Sequence, residues 1–115
     1  MTDDWRKDFE EERGRLNDRV LASDHIGIKR FFALDTQAYS DGPLDARTKE
    51  LMGLTASMVL RCDDCISYHI ARCFEKGVTK EQFYDAFNVA LIVGGSIVIP
   101  HLRRAAARME ELFGG

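Results

Sequence analysis

The 115-residue chain is expected to form an all-α single domain of about six helices, and three observations lead there. Apolar residues recur at three- and four-residue spacing nearly throughout, which is the period of a helix with one buried face. No alternating run is long enough to make a strand. The breaks between periodic segments carry residues that start or stop helices: Ser40-Asp41-Gly42-Pro43, Gly77, Thr79 and Gly94-Gly95. A chain of this size has room for one modest core, so assembly into oligomers would help bury its apolar surface.

Each element has its own signal. Trp5, Phe9, Leu16 and Val20 mark a first amphipathic helix, despite Gly14 inside it. Ser23 to Gly27 reads as a loop, with His25 solvated. A second helix over 28–39 presents Phe31, Phe32, Leu34 and Ala38 as apolar contacts. Asp45 is an N-cap residue for a third helix, reaching about Leu60, with Leu51, Leu54, Met58 and Val59 in its apolar row. A fourth runs over 63–76 and stops at Gly77, where a left-handed residue is wanted. Thr79 followed by Gln82 is a capping box, opening a fifth helix through Phe83, Phe87, Ala90, Leu91 and Val93. The sixth begins between Ser96 and Pro100, since proline fits only the first turn.

Composition narrows the function classes. A net charge of −3 and a pI near 5.6 argue against a nucleic-acid partner. Arg103, Arg104 and Arg108 make only a local basic patch, read as a solvated helix face. Met1 to Glu12 is polar and has no apolar h-region, so no secretory signal is expected. The longest apolar stretch, Val89 to Pro100, has 12 residues and carries Gly94, Gly95 and Ser96. A membrane span needs roughly 20, so no membrane partner is expected. Three cysteines without a signal point to the reducing cytoplasm, where CxxC is more often catalytic or metal-binding than structural.

The chemistry-bearing residues cluster in the middle of the chain. Cys62 and Cys65 are three apart, one helical turn on the same side, with about 5–6 Å between Cβ atoms. A disulfide wants ~3.5–4.5 Å, so a small adjustment closes or opens the pair. His69 lies one turn beyond Cys65, where an imidazole can take the thiol proton or stabilise the reactive thiolate. It sits in an apolar row with Ile66, Ile70, Cys73 and Phe74, the pattern of a core histidine, but the two cysteines on its face favour function. Glu50 begins the row Glu50, Leu54, Met58. It either pairs with Arg47 one turn back or orients His69 and raises its basicity. Asp63 and Asp64 read as helix-start acids whose negative charge raises a neighbouring thiol pKa. Cys73 reads as a buried small hydrophobe. His101 shares a row with Ile97, Ala105 and Met109, and so points inward, as packing or as a pocket residue.

Other CxxC chemistries fit less well. Haem attachment needs histidine directly after the second cysteine, where Ile66 stands, and a thioredoxin fold needs βαβ units. Structural zinc could use Cys62, Cys65, His69 and a fourth ligand from Glu50, Cys73 or His101, but no second CxxC or HxxxH occurs.

Lys49-Glu50-Leu51, then Cys62-Asp63-Asp64-Cys65, then Ile66-Ser67-Tyr68-His69 resembles the signature of the carboxymuconolactone decarboxylase family, in its alkylhydroperoxidase D-like branch. Phe31-Phe32-Ala33-Leu34-Asp35 and Gly42-Pro43-Leu44-Asp45 before it, and Gly94-Gly95-Ser96 and Pro100-His101 after it, extend the resemblance over about residues 28–112 of a domain taken as 1–115. It implies a helical fold assembled as trimers or hexamers. It also implies that Cys65 is oxidised to sulfenic acid, that Cys62 gives the proton and closes the disulfide, and that Glu50 and His69 form the proton relay. One departure stands out. The branch has histidine just before the second cysteine, and here Asp64 removes that relay member and makes the local field more negative. Family decarboxylases acting on a lactone generally lack the CxxC pair, so its presence argues for thiol redox chemistry.

The expected protein is therefore a cytoplasmic thiol peroxidase or disulfide oxidoreductase without a cofactor. Its partners would be a hydroperoxide or other small molecule, an external dithiol or disulfide protein as reductant, and copies of itself, a hexamer before a trimer. One alternative is a lyase or isomerase using Glu50 and His69 on a carbon acid. Another is an oligomeric zinc- or redox-sensing binding protein.

Overall fold

The computed structural model describes residues 4–115, and among these six α-helices and one 3-10 turn follow in order. They are α1 (Asp4–Leu21), α2 (Ile26–Ala38), α3 (Ala46–Val59), α4 (Asp63–Glu75), α5 (Lys80–Gly94), the turn Ser96–Val98, and α6 (Ile99–Leu112). The expected all-α architecture is what folds. Met1, Thr2 and Asp3, part of the polar N-terminal stretch noted above, lie outside the described residues.

The core sits among α3, α4, α5 and α6, with α3 between α4 and α5, and α6 closing against both α4 and α5. Each helix brings one stripe at the 3.6-residue period: Leu54 and Met58 from α3, Ile66, Ile70 and Cys73 from α4, Phe83, Phe87 and Ala90 from α5, and Ala105, Met109 and Leu112 from α6. The caps hold them in register. Asp45 accepts the Thr48 amide at 2.8 Å, and both halves of the Thr79–Gln82 capping box are present.

Two corrections concern α2. It begins at Ile26 rather than 28, because His25 caps it through Nδ1, which accepts the Ile28 amide at 3.4 Å. Nor do most of its apolar residues pack inward: Phe31 is 69% and Leu34 64% exposed, Ala38 is exposed, Phe32 is half-buried, and α2 contains no fully buried residue. Helix α1 likewise buries nothing fully. It is tied down by the Trp5 indole N–H, donated to the Arg108 carbonyl at 3.0 Å, and by guanidinium groups over rings: Arg13 on Tyr68, Arg6 on Phe74 and Arg108 on Trp5.

Two helix ends position the central hairpin of α3 and α4. At the end of α4, Gly77 is left-handed (φ +83°), the Val78 amide reaches back to the Cys73 carbonyl and the Gly77 amide to that of Phe74. The end of α3 repeats this arrangement without glycine. Arg61 takes the left-handed conformation (φ +59°), while the Cys62 amide donates to Ser57 and the Arg61 amide to Met58. This tight turn makes Cys62 the N-cap of α4.

Arginine in that conformation is strained where glycine is not. Arg61→Gly is therefore expected to leave stability unchanged or raised by up to about 1 kcal/mol, whereas the β-branched Arg61→Val lowers it by about 1–3 kcal/mol. Urea unfolding of the two variants measures both.

Candidate active site

The site begins with a carboxylate in the wrong solvent. Glu50 falls on the inward stripe of α3, one turn before Leu54, and is 1% exposed. A buried carboxylate needs compensating hydrogen bonds. Glu50 finds its bond across the helix pair, where the His69 Nδ1–H donates to Oε1 at 2.8 Å. His69 is itself buried, 7% exposed. The Arg72 Nε approaches the other carboxylate oxygen only to 4.0 Å. Of the two readings left open for Glu50, pairing with His69 is the one that forms. Arg47 turns away to the Gln82 side chain and to the Gly77 carbonyl.

This bond settles the imidazole's tautomer. A carboxylate only accepts, so Nδ1 carries a proton, and in the neutral ring Nε2 keeps the lone pair. Nε2 faces the hydroxyl of Tyr39, the residue just beyond α2, at 3.4 Å. The ring is wedged between aromatic neighbours, with Tyr39 at 5.3 Å and Tyr68 edge-on at 5.1 Å between centroids. Burial, and then the charges of Asp35 and Glu50, push the Tyr39 phenol above its usual range, so it stays protonated. Burial and the Glu50 charge do the same to Tyr68. Against the ring lies Gly53 of α3: a Cβ there would stand 2.6 Å from His69 Cε1, 2.7 Å from the Tyr39 oxygen and 2.8 Å from Nε2. A cleft of about 350 Å³ opens on this group, lined among others by Asp35, Tyr39, Glu50, Tyr68, Arg72 and Lys76.

The cysteines stand at the start of α4. Cys62 and Cys65 are joined in a disulfide, with Cα atoms 5.3 Å apart. Cys62 is the N-cap, and its sulfur accepts the Cys65 amide at 3.2 Å, while Cys65 is exposed. A sulfur at a helix N-terminus, holding an amide N–H, is where a thiolate is best stabilised. No hydrogen bond joins Cys65 to His69 in this disulfide state; one helical turn separates them. Cys73 is buried, and burial pushes its thiol up to about 12.

Sequence reasoning missed how the acids beside the cysteines are held. Asp63 is bound by α6: the His101 Nδ1–H donates to it at 2.8 Å and Arg104 Nη2 and Nε at 2.8 and 3.2 Å. Burial pushes its carboxyl up, but these hydrogen bonds outweigh that and hold it below the ordinary range. His101 thus braces the first turn of α4 rather than lining the cleft, and Asp64 stays exposed. Tyr39, Gly53 and Arg72 were also missed. Only their distances across helices reveal them, and no local motif marks such contacts. Among the described residues, no group of three or more His, Cys, Asp or Glu side chains converges to hold a metal ion, and no helix is long and apolar enough to cross a membrane.

Comparison with known proteins finds relatives in both sequence and fold. The carboxymuconolactone decarboxylase family profile covers residues 28–108. A crystal structure of a Thermotoga maritima protein superposes with a TM-score of 0.90 at 56% identity, over 93% of this chain and 94% of that one. A second crystal structure of that protein describes it as a member of the same family for which a part in the antioxidative response has been suggested. A Paracoccus denitrificans cox-locus protein is 33% identical over 73% of this chain and 76% of its own length. The alkyl hydroperoxide reductase AhpD of Corynebacterium aurimucosum is 32% identical over 79% of this chain, which spans 49% of that longer protein. The CxxC pair and the buried Glu50–His69 bond match the thiol redox relay typical of AhpD-like oxidoreductases.

Gly53→Ala must displace either the His69 ring or the Tyr39 hydroxyl. The expected result is a loss of about 1–3 kcal/mol in urea unfolding, the usual cost of overpacking. The disulfide still forms, because the cysteines lie outside the collision.

Proposed function

The chain belongs to the carboxymuconolactone decarboxylase family, and we propose that within it this protein is a thiol peroxidase and disulfide oxidoreductase of the AhpD type. The observation that carries the reading is a closed CxxC disulfide at the start of α4, one turn from a histidine held by a buried carboxylate.

In the reduced protein the exposed Cys65 thiolate attacks the terminal oxygen of a hydroperoxide. An S–O bond forms, the O–O bond breaks, and the departing alkoxide takes a proton to leave as an alcohol. Cys62, whose thiolate the helix start favours, attacks the Cys65 sulfenic acid. The disulfide closes, and hydroxide takes a proton and leaves as water. An external dithiol then attacks the exposed Cys65 sulfur, Cys62 departs as the better-stabilised thiolate, and the second external thiol completes the exchange. His69 takes and returns the protons, and Glu50 holds its orientation and stabilises the imidazolium. A reducing compartment, the cytoplasm, suits a pair that must be reopened.

A second reading has its own support, since the cleft is lined by Glu50 and Tyr39 but by neither cysteine. In it, Glu50 and His69 act on a carbon acid, as a lyase or isomerase would. Catalysis that survives Cys65→Ser would mark that chemistry.

The proposed working form is a homo-oligomer, a hexamer before a trimer. Between α3 and α5 lies an apolar groove of about 720 Å³ containing Met52, Leu60, Val89 and Val93, continued by Ile92 at 78% exposure and by Ile97. With Phe31 and Leu34 on α2, this is more apolar surface than a lone chain of this size keeps in water.

Three outcomes are expected. After mild peroxide and alkylation, mass spectrometry finds the Cys62–Cys65 bridge with Cys73 reduced; Cys62→Ser accumulates a trappable sulfenic acid on Cys65, and Cys65→Ser stops consuming peroxide. His69→Ala slows Cys65 oxidation by about 10²–10⁴-fold, whereas Asp64→Ala, which removes a negative charge beside the thiol, speeds it. Light scattering gives a multiple of the 13.1 kDa chain mass, and Ile92→Asp lowers it; a monomeric wild type would refute the assembly.

A further inference from the structure

We propose that Tyr39 is a catalytic residue: its hydroxyl carries the proton between the cleft and Nε2 of His69. The inference rests on the relay reading above, and it comes from asking how a buried histidine exchanges a proton at all. Nδ1 is committed to Glu50 at 2.8 Å, so only Nε2 can gain or lose one. His69 is 7% exposed, and Gly53 closes one side of its ring so tightly that a methyl group would not fit. Tyr68 presents a ring edge to the imidazole and forms no hydrogen bond to it. Among the described residues the one polar atom bonded to Nε2 is the Tyr39 oxygen at 3.4 Å, and Tyr39 is half-buried and lines the cleft. Tyr39 is therefore the polar group that stands between His69 and the space a substrate enters.

A phenol suits this task because it both donates and accepts. In the resting state its O–H points at the Nε2 lone pair. When a water in the cleft yields a proton to the Tyr39 oxygen, the phenol's own proton passes to Nε2, and the hydroxide so formed takes the proton of the Cys65 thiol. The Tyr39 hydroxyl and the water are regenerated, Cys65 is left as thiolate, and the imidazolium rests against the Glu50 carboxylate. The reverse sequence returns the proton through the cleft water to the alkoxide or hydroxide leaving Cys65. No electrons move. The charged and titratable neighbours about Tyr39 and the cleft are Asp35 on α2, Asp41 in the turn after it, Glu50 on α3, Tyr68 and Arg72 on α4, and Lys76 just beyond α4. The acids among them disfavour a phenolate, which makes the two transfers concerted rather than stepwise. The 3.4 Å separation is long for a hydrogen bond and has to shorten for transfer, as catalytic bonds in unliganded sites commonly do.

The test is Tyr39→Phe, which keeps the ring against His69 and Gly53 and removes only the oxygen. Single-turnover oxidation of the reduced protein by hydrogen peroxide is followed from pH 5 to 9, together with the thermal midpoint. The expected result is an unchanged midpoint and a rate near neutral pH about 10²-fold below wild type. The deficit should shrink as pH rises, because hydroxide in solution then deprotonates the thiol directly. A Tyr39→Phe rate and pH profile equal to those of a wild type that does cycle would overturn the role of Tyr39 and leave the relay reading standing. A deficit constant at every pH would overturn it too, since it would mark misplacement of the ring rather than loss of a proton carrier. A wild type that forms no disulfide with peroxide would remove the relay reading itself.

Discussion

The hydrogen bond between Glu50 and His69 is the constraint on which the rest of the site depends. Glu50 occupies a core position of α3, so its carboxylate is stable only while the Nδ1–H of His69 reaches it. That requirement ties α3 to α4 at the same helix pair that Leu54 and Met58 pack. It also fixes the tautomer, and with it the direction of the remaining lone pair. A buried ion pair or charged hydrogen bond adds little stability over apolar packing of the same volume. Its place in the core of so small a domain is better explained by chemistry than by folding. The arrangement of neighbours agrees: Gly53 gives up side-chain volume to admit the imidazole, and Tyr39 closes over its free nitrogen.

The second half of the site depends on how α3 hands over to α4. The turn at Arg61 ends one helix and caps the next within three residues, so Cys62 enters α4 as its N-cap rather than as a residue of its interior. The two sulfurs thereby become unequal. Cys62 gains an amide hydrogen bond and the positive end of the helix, while Cys65 gains exposure. A pair in which one sulfur is reachable and the other is a good leaving group suits thiol–disulfide exchange. The acids between them are also unequal. Asp63 is neutralised by His101 and Arg104 from α6, which leaves Asp64 as the uncompensated negative charge beside Cys65.

Helices α1 and α2 stand apart from this core. They bury no residue fully, yet α2 delivers Tyr39 and Asp35 to the cleft and α1 lays Arg13 over Tyr68. The exposed apolar residues of α2 and of the α3–α5 groove are the surfaces that the proposed assembly would cover. Covering them would also steady the helix that carries Tyr39.

Much of this was legible in the sequence. The helices, their caps at Asp45 and Thr79, and the burial of Cys73 follow from local chemistry and the 3.6-residue period, which depend on neighbours only a few positions away. The inward stripe of Glu50 likewise placed its carboxylate in the core, whereas the shared helix face expected for the cysteines and His69 is not what forms: Cys62 is an N-cap and Cys65 is exposed while His69 is buried. The sequence did not reveal which partner Glu50 takes, since Arg47 and His69 were both plausible and only helix packing separates them. Nor did it show that His25 caps α2, that His101 binds Asp63 instead of entering a pocket, or that Phe31 and Leu34 face outward. Those outcomes turn on distances between residues up to 38 positions apart. A helix's own period says which residues share a face. What that face meets is decided by the angle at which the next helix crosses it, and only the folded chain contains that angle.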